Sequence, residues 1–158
     1  MTSGSTTEPD VLTAEQARLG APRLLAGVRR DRALTFAEHQ EVHGPLPSLE
    51  RRWTRATSRS LIDELTAAGI GGRGGAGFPF ARKLAAVAGQ RRRPFVVVNA
   101  AESEPAAHKD AALATLTPHL VLDGAVVSAR LVGARDVIVW THRGESAVSA
   151  AFRRALAQ

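Results

Sequence analysis

Between positions 71 and 77, five of seven residues are glycine: Gly71-Gly72-Arg73-Gly74-Gly75-Ala76-Gly77. Such a run fits neither a helix interior nor a strand interior, because each glycine adds backbone freedom that regular structure must remove. It therefore forces a loop, and the residues on either side say between what. Leu61, Ile62, Leu65 and Ala68 recur at helical spacing, and Gly69 is a natural stop. A second helix is expected from near Pro79 to Gly89, with Leu84 and Val87 turned inward. The chain must accommodate a glycine loop between two helices.

That setting decides among the chemistries glycine loops serve. Gly72-x-Gly74-x-x-Gly77 matches the spacing of a dinucleotide fingerprint. The fingerprint needs a strand immediately before it, however, and here the preceding segment reads as helix. A Walker A loop fails as well, since no Ser or Thr follows Lys83. What remains is general physics: closely spaced glycines let backbone N–H groups face an anion, and the following helix points its positive end at the same place. Arg73, Arg82 and Lys83 add charge, so the loop is a candidate phosphate cradle; the bland alternative is a flexible surface linker.

Downstream the pattern becomes that of an α/β domain. Pro94-Phe95-Val96-Val97-Val98-Asn99 is a continuous β-branched run, expected as a fully buried parallel strand. A loop with Glu102-Ser103-Glu104-Pro105 follows. Thr117 and Pro118 then supply an N-cap and a first-turn proline for a largely apolar helix, expected to be buried, from His119 to Leu131. Gly133 ends it, Asp136 to Trp140 reads as a second strand, and a last helix from about Glu145 places Val148, Ala151, Phe152 and Ala155 on one face. The expected architecture is layered α/β: a small parallel sheet flanked by helices, with the glycine-rich loop between two of them. Residues 1–10 are expected to form a disordered tail, 11–59 a helical or irregular extension without a firm pattern, and 60–158 the α/β domain.

Ligands of open parallel sheets sit beyond the carboxyl ends of the strands. Asn99, Glu102 and Glu104 fall there, with amide and carboxylate groups suited to a heterocycle edge, ribose hydroxyls or a carboxamide; a solvated turn is the alternative. Arg143-Gly144-Glu145 follows the second strand, where the carboxylate also suits a plain helix N-terminus.

Composition removes several classes. The 158 residues contain no cysteine, which excludes disulfides and thiolate-held zinc or iron–sulfur clusters on this chain. No histidine spacing suggests a metal site, and no nucleophile elbow is present. No apolar run approaches the ~20 residues of a membrane helix, so the expectation is a cytoplasmic protein or one peripheral to a membrane complex. The net charge of +6 is almost all arginine, in short clusters such as Arg91 to Arg93 and Arg153-Arg154. These are not interleaved with aromatics that stack bases, so nucleic acid is not the expected partner.

Taken together, three stretches resemble the flavin subunit (51-kDa type, or F type) of NADH:quinone oxidoreductases. The family's Gly-Arg-Gly-Gly-Ala-Gly-Phe-Pro loop stands here complete as Gly72 to Pro79, with a lysine at the family's spacing as Lys83. Its Val-Val-Asn strand end is Val97 to Asn99, its acidic loop Glu102 to Pro105, and its Lys-Asp pair Lys109-Asp110. Pro118-His119-Leu120 and Arg143-Gly144-Glu145 match as well, so the likeness runs from about Ser60 to the last residue. It implies that Gly72, Arg73, Gly74, Gly75, Ala76, Gly77 and Lys83 embrace the FMN phosphate and approach NADH, with Phe78 stacking on the dinucleotide. Asn99 and Glu102 would face the isoalloxazine, Glu104 would position the nicotinamide as the catalytic contact, and Gly144 and Glu145 would complete the cofactor-binding set. The implied reaction is hydride transfer from NADH to FMN, with electrons leaving through iron–sulfur centres on partner subunits.

The sequence also departs from that pattern. Ala101 stands where the family has Asp, Phe80-Ala81 where it has Thr-Gly, Leu84 where it has Trp, and Thr141 where it has Tyr. The resemblance further implies that the chain is the N-terminal flavin-binding part alone, truncated before the family's later domains. Two other readings stay open: a degenerate paralogue acting as a non-catalytic subunit or binding module, and an arginine-rich nucleic-acid binder on an unrelated fold.

Overall fold

The computed structural model describes residues 23–29, 32–46, 53–72, 76–102, 104, 106–144 and 146–158. The expected tail at 1–10 lies outside them, as do Arg73, Gly74, Gly75 and Glu145. The elements run in the order 3-10 turn Arg23–Leu25, α1 Phe36–His43, α2 Arg55–Ala67, α3 Phe80–Ala88, β1 Phe95–Asn99, α4 Lys109–Leu116, α5 Pro118–Val132, β2 Asp136–Trp140 and α6 Ser146–Leu156. The chain divides into two compact units, one within Leu46–Ala101 and Leu122–Thr141, the other within Met1–Pro45, Glu102–Val121 and His142–Gln158.

The first unit holds the sheet and the glycine loop. β1 and β2 pair in parallel, Phe95 opposite Asp136 through Asn99 opposite Trp140. A core of Leu84, Leu131 and Val132 gathers Trp53, Leu61, Ile62, Leu65, Val87 and Val96 around it. Leu84 and Val87 are thus inward as expected, and Gly69 and Gly133 end their helices with positive φ. Two expectations need correction. α2 begins at Arg55, where the Thr54 hydroxyl accepts from the Thr57 N–H, so the helix starts a turn before the apolar pattern does. β1 is not fully buried: exposure alternates along it, because only one face of the two-stranded sheet is covered. Phe95, Val97, Ile138 and Trp140 are exposed on the other face.

The second unit is helical. α6 buries Val148, Ala151, Phe152 and Ala155 as one stripe, as its spacing predicts. Its α4 neighbour falls in a stretch to which the sequence assigns no element; an alanine-rich Lys109–Leu116 segment gives periodicity little contrast, and the helix is set by tertiary packing. α1 arises in the stretch without a firm pattern. A capping box forms it: the Thr35 hydroxyl accepts from the Glu38 N–H while the Glu38 carboxylate accepts from the Thr35 N–H. The paired Arg32 guanidinium, 2.6 Å from both Glu38 oxygens, holds that carboxyl well below the usual carboxylate range. Thr117 is another correction. Its carbonyl accepts the first α5 bond from Val121, yet its hydroxyl donates to Leu113 of α4 at 3.2 Å rather than capping α5. α5 itself is half-buried rather than buried, with Gly124 and Arg130 exposed.

Candidate functional site

The glycine loop is drawn together at its neck by backbone pairing. The Gly72 N–H donates to the Phe78 carbonyl and the Phe80 N–H to the Ile70 carbonyl, both at 2.9 Å, and Gly71 and Pro79 bridge antiparallel. This closure explains two of the glycines. A Cβ at Gly71 would stand 3.2 Å from the Gly77 carbonyl oxygen, and Gly77 itself adopts φ +58°. The neck uses the Gly72 N–H, so an anion would be met by the loop beyond it and by α3. Pro79 at the N-cap of α3 offers no side-chain acceptor, and the first turn contains no acid, so its N–H groups receive no side-chain cap.

Two cations stand at that helix end. Arg82 and Lys83 each lie 5.6 Å from the centre of the Phe78 ring, which is itself 43% exposed. Neither makes an ion pair among the described residues. An uncapped helix start, a glycine loop closed at its neck and two cations without carboxylates together fit a phosphate. The structure thus places Gly72, Ala76, Gly77, Phe78 and Lys83 in one neighbourhood, with Arg73, Gly74 and Gly75 outside the described residues.

Asn99 ends β1 in the same unit. Its Oδ1 accepts from the Ala101 N–H at 3.2 Å, which fixes the amide orientation and leaves the Nδ2 donor available. The ladder continues one residue further, with the Ala100 N–H donating to the Trp140 carbonyl at 2.8 Å.

The acidic loop belongs to the helical unit, and its Glu102 is satisfied from within. Glu102 accepts from Lys109 Nζ at 2.5 Å and from the Asp110 N–H at 3.0 Å, so its carboxylate caps the first turn of α4. The hydrogen bond from Lys109, then that from the Asp110 backbone, holds the Glu102 carboxyl below its ordinary range. Lys109 is in turn pushed up, chiefly by Glu102. His142 donates from Nε2 to the Glu102 carbonyl at 2.8 Å, a supporting role its isolated position in the sequence did not suggest. Glu104 has no side-chain hydrogen bond or ion pair among the described residues. Gly144 lies in an exposed turn after β2, and Glu145 is outside the described residues.

Known proteins resemble this chain in sequence and in fold. Residues 65–158 match the family model described as the Nuo51 FMN-binding domain. The F subunit of the NADH-quinone oxidoreductase of Rhodobacter capsulatus is 39% identical over 87 residues, 54% of this chain and 20% of that protein. The corresponding F subunit of Aquifex aeolicus is 30% identical over 132 residues, 78% of this chain and 30% of its own length. Among solved structures, an NAD+-reducing [NiFe]-hydrogenase in the H2-reduced state superposes with a TM-score of 0.58 at 30% identity. That match covers 72% of this chain and 21% of the other. The chain therefore spans between a fifth and a third of the length of these relatives. With a family model matched over more than half its residues, the chain belongs to the Nuo51 FMN-binding domain family, which it shares with the F subunits of NADH-quinone oxidoreductases.

Proposed function

We propose that this chain is the FMN-holding part of an NADH-oxidising flavoprotein, in which hydride passes from NADH to FMN. The observation that carries the reading is the pair Arg82 and Lys83, without carboxylate partners among the described residues, at the start of α3 beside the neck of the glycine loop. In this assignment Gly72, Arg73, Gly74, Gly75, Ala76 and Gly77 shape the loop around the phosphate, and Lys83 supplies its countercharge. Phe78 offers an exposed ring for the dinucleotide. The Asn99 Nδ2 donor addresses a heterocycle oxygen or nitrogen, and Glu102 the same ring system. Glu104 orients the nicotinamide, and Gly144 and Glu145 complete the nucleotide contacts. Bound flavin supplies a two-electron hydride acceptor that can release electrons singly; the protein's own contribution is positioning.

The electrons need an exit, and the 158 residues contain no cysteine to hold a cluster. We assign that role to an iron–sulfur partner chain. The exposed apolar face of Phe95, Val97, Ile138 and Trp140 supports association with further polypeptide. Among the described residues no single helix is long and apolar enough to cross a membrane. That fits a place in the cytoplasm or against the cytoplasmic side of a membrane complex.

A second reading, a binding module without turnover, draws on the acidic loop, where Glu102 is already committed to Lys109 and Asp110. Titration calorimetry with FMN and riboflavin separates the cases, followed by anaerobic NADH addition. FMN binding at least tenfold tighter than riboflavin, with bleaching by NADH, is the expected result. Equal affinities would remove the phosphate site; tight FMN binding without bleaching would leave the binding module.

A further inference from the structure

The glycine loop joins the carboxyl end of α2 to the amino end of α3, and the other ends of these helices frame a different site. There a cleft of about 500 Å³ opens between the first turns of α2, the last turn of α3 and the end of α5. Its volume lies in the range of small-molecule sites. Along a 13-residue helix the two ends stand ~20 Å apart. The cleft also adjoins the segment leading into β1, the amino side of the sheet.

Six arginines from three separate segments of the chain line it: Arg55, Arg59, Arg91, Arg92, Arg93 and Arg130. All six are exposed, and none makes an ion pair among the described residues. Asp63 is the only carboxylate in the lining. Part of this charge has a local explanation, since Arg130 stands in the last turn of α5 and Arg91 to Arg93 follow the end of α3, where cations suit the helix dipole. Arg55 and Arg59 have none. They lie in the opening turns of α2, at the positive end of a helix with no acid in its first turn. Mutual repulsion of these guanidinium groups is left for an external anion to relieve.

The floor differs from the rim. Trp53 is half-buried with its indole against the core, and Ile62, Leu131 and Val132 line the cleft beside it. An inorganic anion leaves that apolar floor uncovered. A nucleic-acid strand needs a series of stacking rings, and Trp53 is the only aromatic in the lining.

We propose that this cleft binds a nucleoside polyphosphate, its base against Trp53 and the apolar floor and its phosphates on the arginines, apart from the glycine-loop site. Charge-assisted, bidentate contacts from guanidinium to phosphate give the recognition.

The test is binding of ATP to the full chain, by calorimetry and tryptophan fluorescence, against inorganic tripolyphosphate, a glutamate-rich peptide and duplex DNA. The variants are Arg91→Gln/Arg92→Gln/Arg93→Gln, Arg55→Gln/Arg59→Gln, Trp53→Phe and Lys83→Ala, each checked for an unchanged circular dichroism spectrum. Saturable ATP binding is expected, at least tenfold tighter than tripolyphosphate and weakened at least tenfold by either arginine variant. Fluorescence quenching should vanish in Trp53→Phe, and Lys83→Ala should bind as wild type does. Absence of saturable ATP binding overturns the proposal. So does loss of binding in Lys83→Ala with the arginine variants intact, equal affinity for tripolyphosphate, or preference for the peptide or the duplex.

Discussion

Lys83 and Lys109 are the only lysines of the chain, and each stands at the start of a helix that follows a loop. Lys109 is engaged: its ammonium meets Glu102 at 2.5 Å, and the same carboxylate caps the Asp110 N–H. Lys83 rests over the Phe78 ring with no carboxylate partner among the described residues, beside an arginine in the same situation. One loop pairs its Glu102 and Lys109 with each other; the other holds two cations without a carboxylate partner among the described residues, at a helix start with no side-chain cap. The contrast separates a paired lysine from one without a carboxylate partner among the described residues, although both match the same family motif set. A cation without a carboxylate at an uncapped helix start marks a place for an external anion, whereas a paired one contributes first to holding its own loop.

The largest expected effect comes from the neck. Gly71→Val would push a side chain against the Gly77 carbonyl, which a Cβ already approaches to 3.2 Å. FMN affinity should fall by roughly a hundredfold or more, as misplacing a positioned group commonly costs. Retention of wild-type affinity in a titration would show that the neck geometry is irrelevant.

The engaged lysine should behave in the opposite way. Lys109→Met is expected to lower the melting temperature at pH 7 and to weaken FMN by no more than about threefold through Glu102, since a half-exposed ion pair contributes little. The pH dependence follows from the directions of the two shifts. Glu102 is held below its ordinary 4.5 in the fold, so its contribution is complete above that value and is lost as pH falls through the lower folded value. Lys109 is held above its ordinary 10.5, so its contribution is lost as pH rises through the raised value. Wild-type and variant melting curves should therefore converge in acid and at strongly alkaline pH. A difference that did not shrink as pH falls below 4.5 would contradict the pairing. An FMN loss equal to that of a glycine-loop variant would break the contrast between the lysines.

The smallest effect is expected at Arg82, which shares the Phe78 ring with Lys83. Arg82→Ala should weaken FMN by about threefold or less, with NADH affinity measured alongside. A loss as large as that from the neck would make Arg82, rather than Lys83, the principal cation.

Much of this was legible in the residue order. The stripe Val148, Ala151, Phe152 and Ala155, the inward Leu84, and the positive-φ stops at Gly69 and Gly133 all follow from spacing and from glycine's steric freedom. The glycine loop and its lysine were readable as a motif, but the pairing of Lys109 with Glu102, and the lack of such a partner for Lys83 among the described residues, were not, because partners are a tertiary property. α4 was hidden because Lys-Asp-Ala-Ala-Leu-Ala-Thr-Leu has too little contrast for a helical period to show. The exposed face of β1 was hidden by the opposite problem: a run of apolar residues reads as buried on both sides, although only one face is covered. α1 did leave a signal, the Thr35-x-x-Glu38 capping box, in a stretch whose apolar pattern is weak. The arginine cleft left only the Arg91 to Arg93 cluster, since its six guanidinium groups come from three segments far apart in the chain.

The most direct measurement is FMN titration of wild type and Lys83→Ala by quenching of flavin fluorescence, with melting curves recorded on both. The account predicts saturable binding by wild type, weakened about tenfold to a hundredfold in the variant, the range of one charge-assisted hydrogen bond, with unchanged melting. Equal affinity in the two proteins, or no saturable binding by wild type, would contradict it.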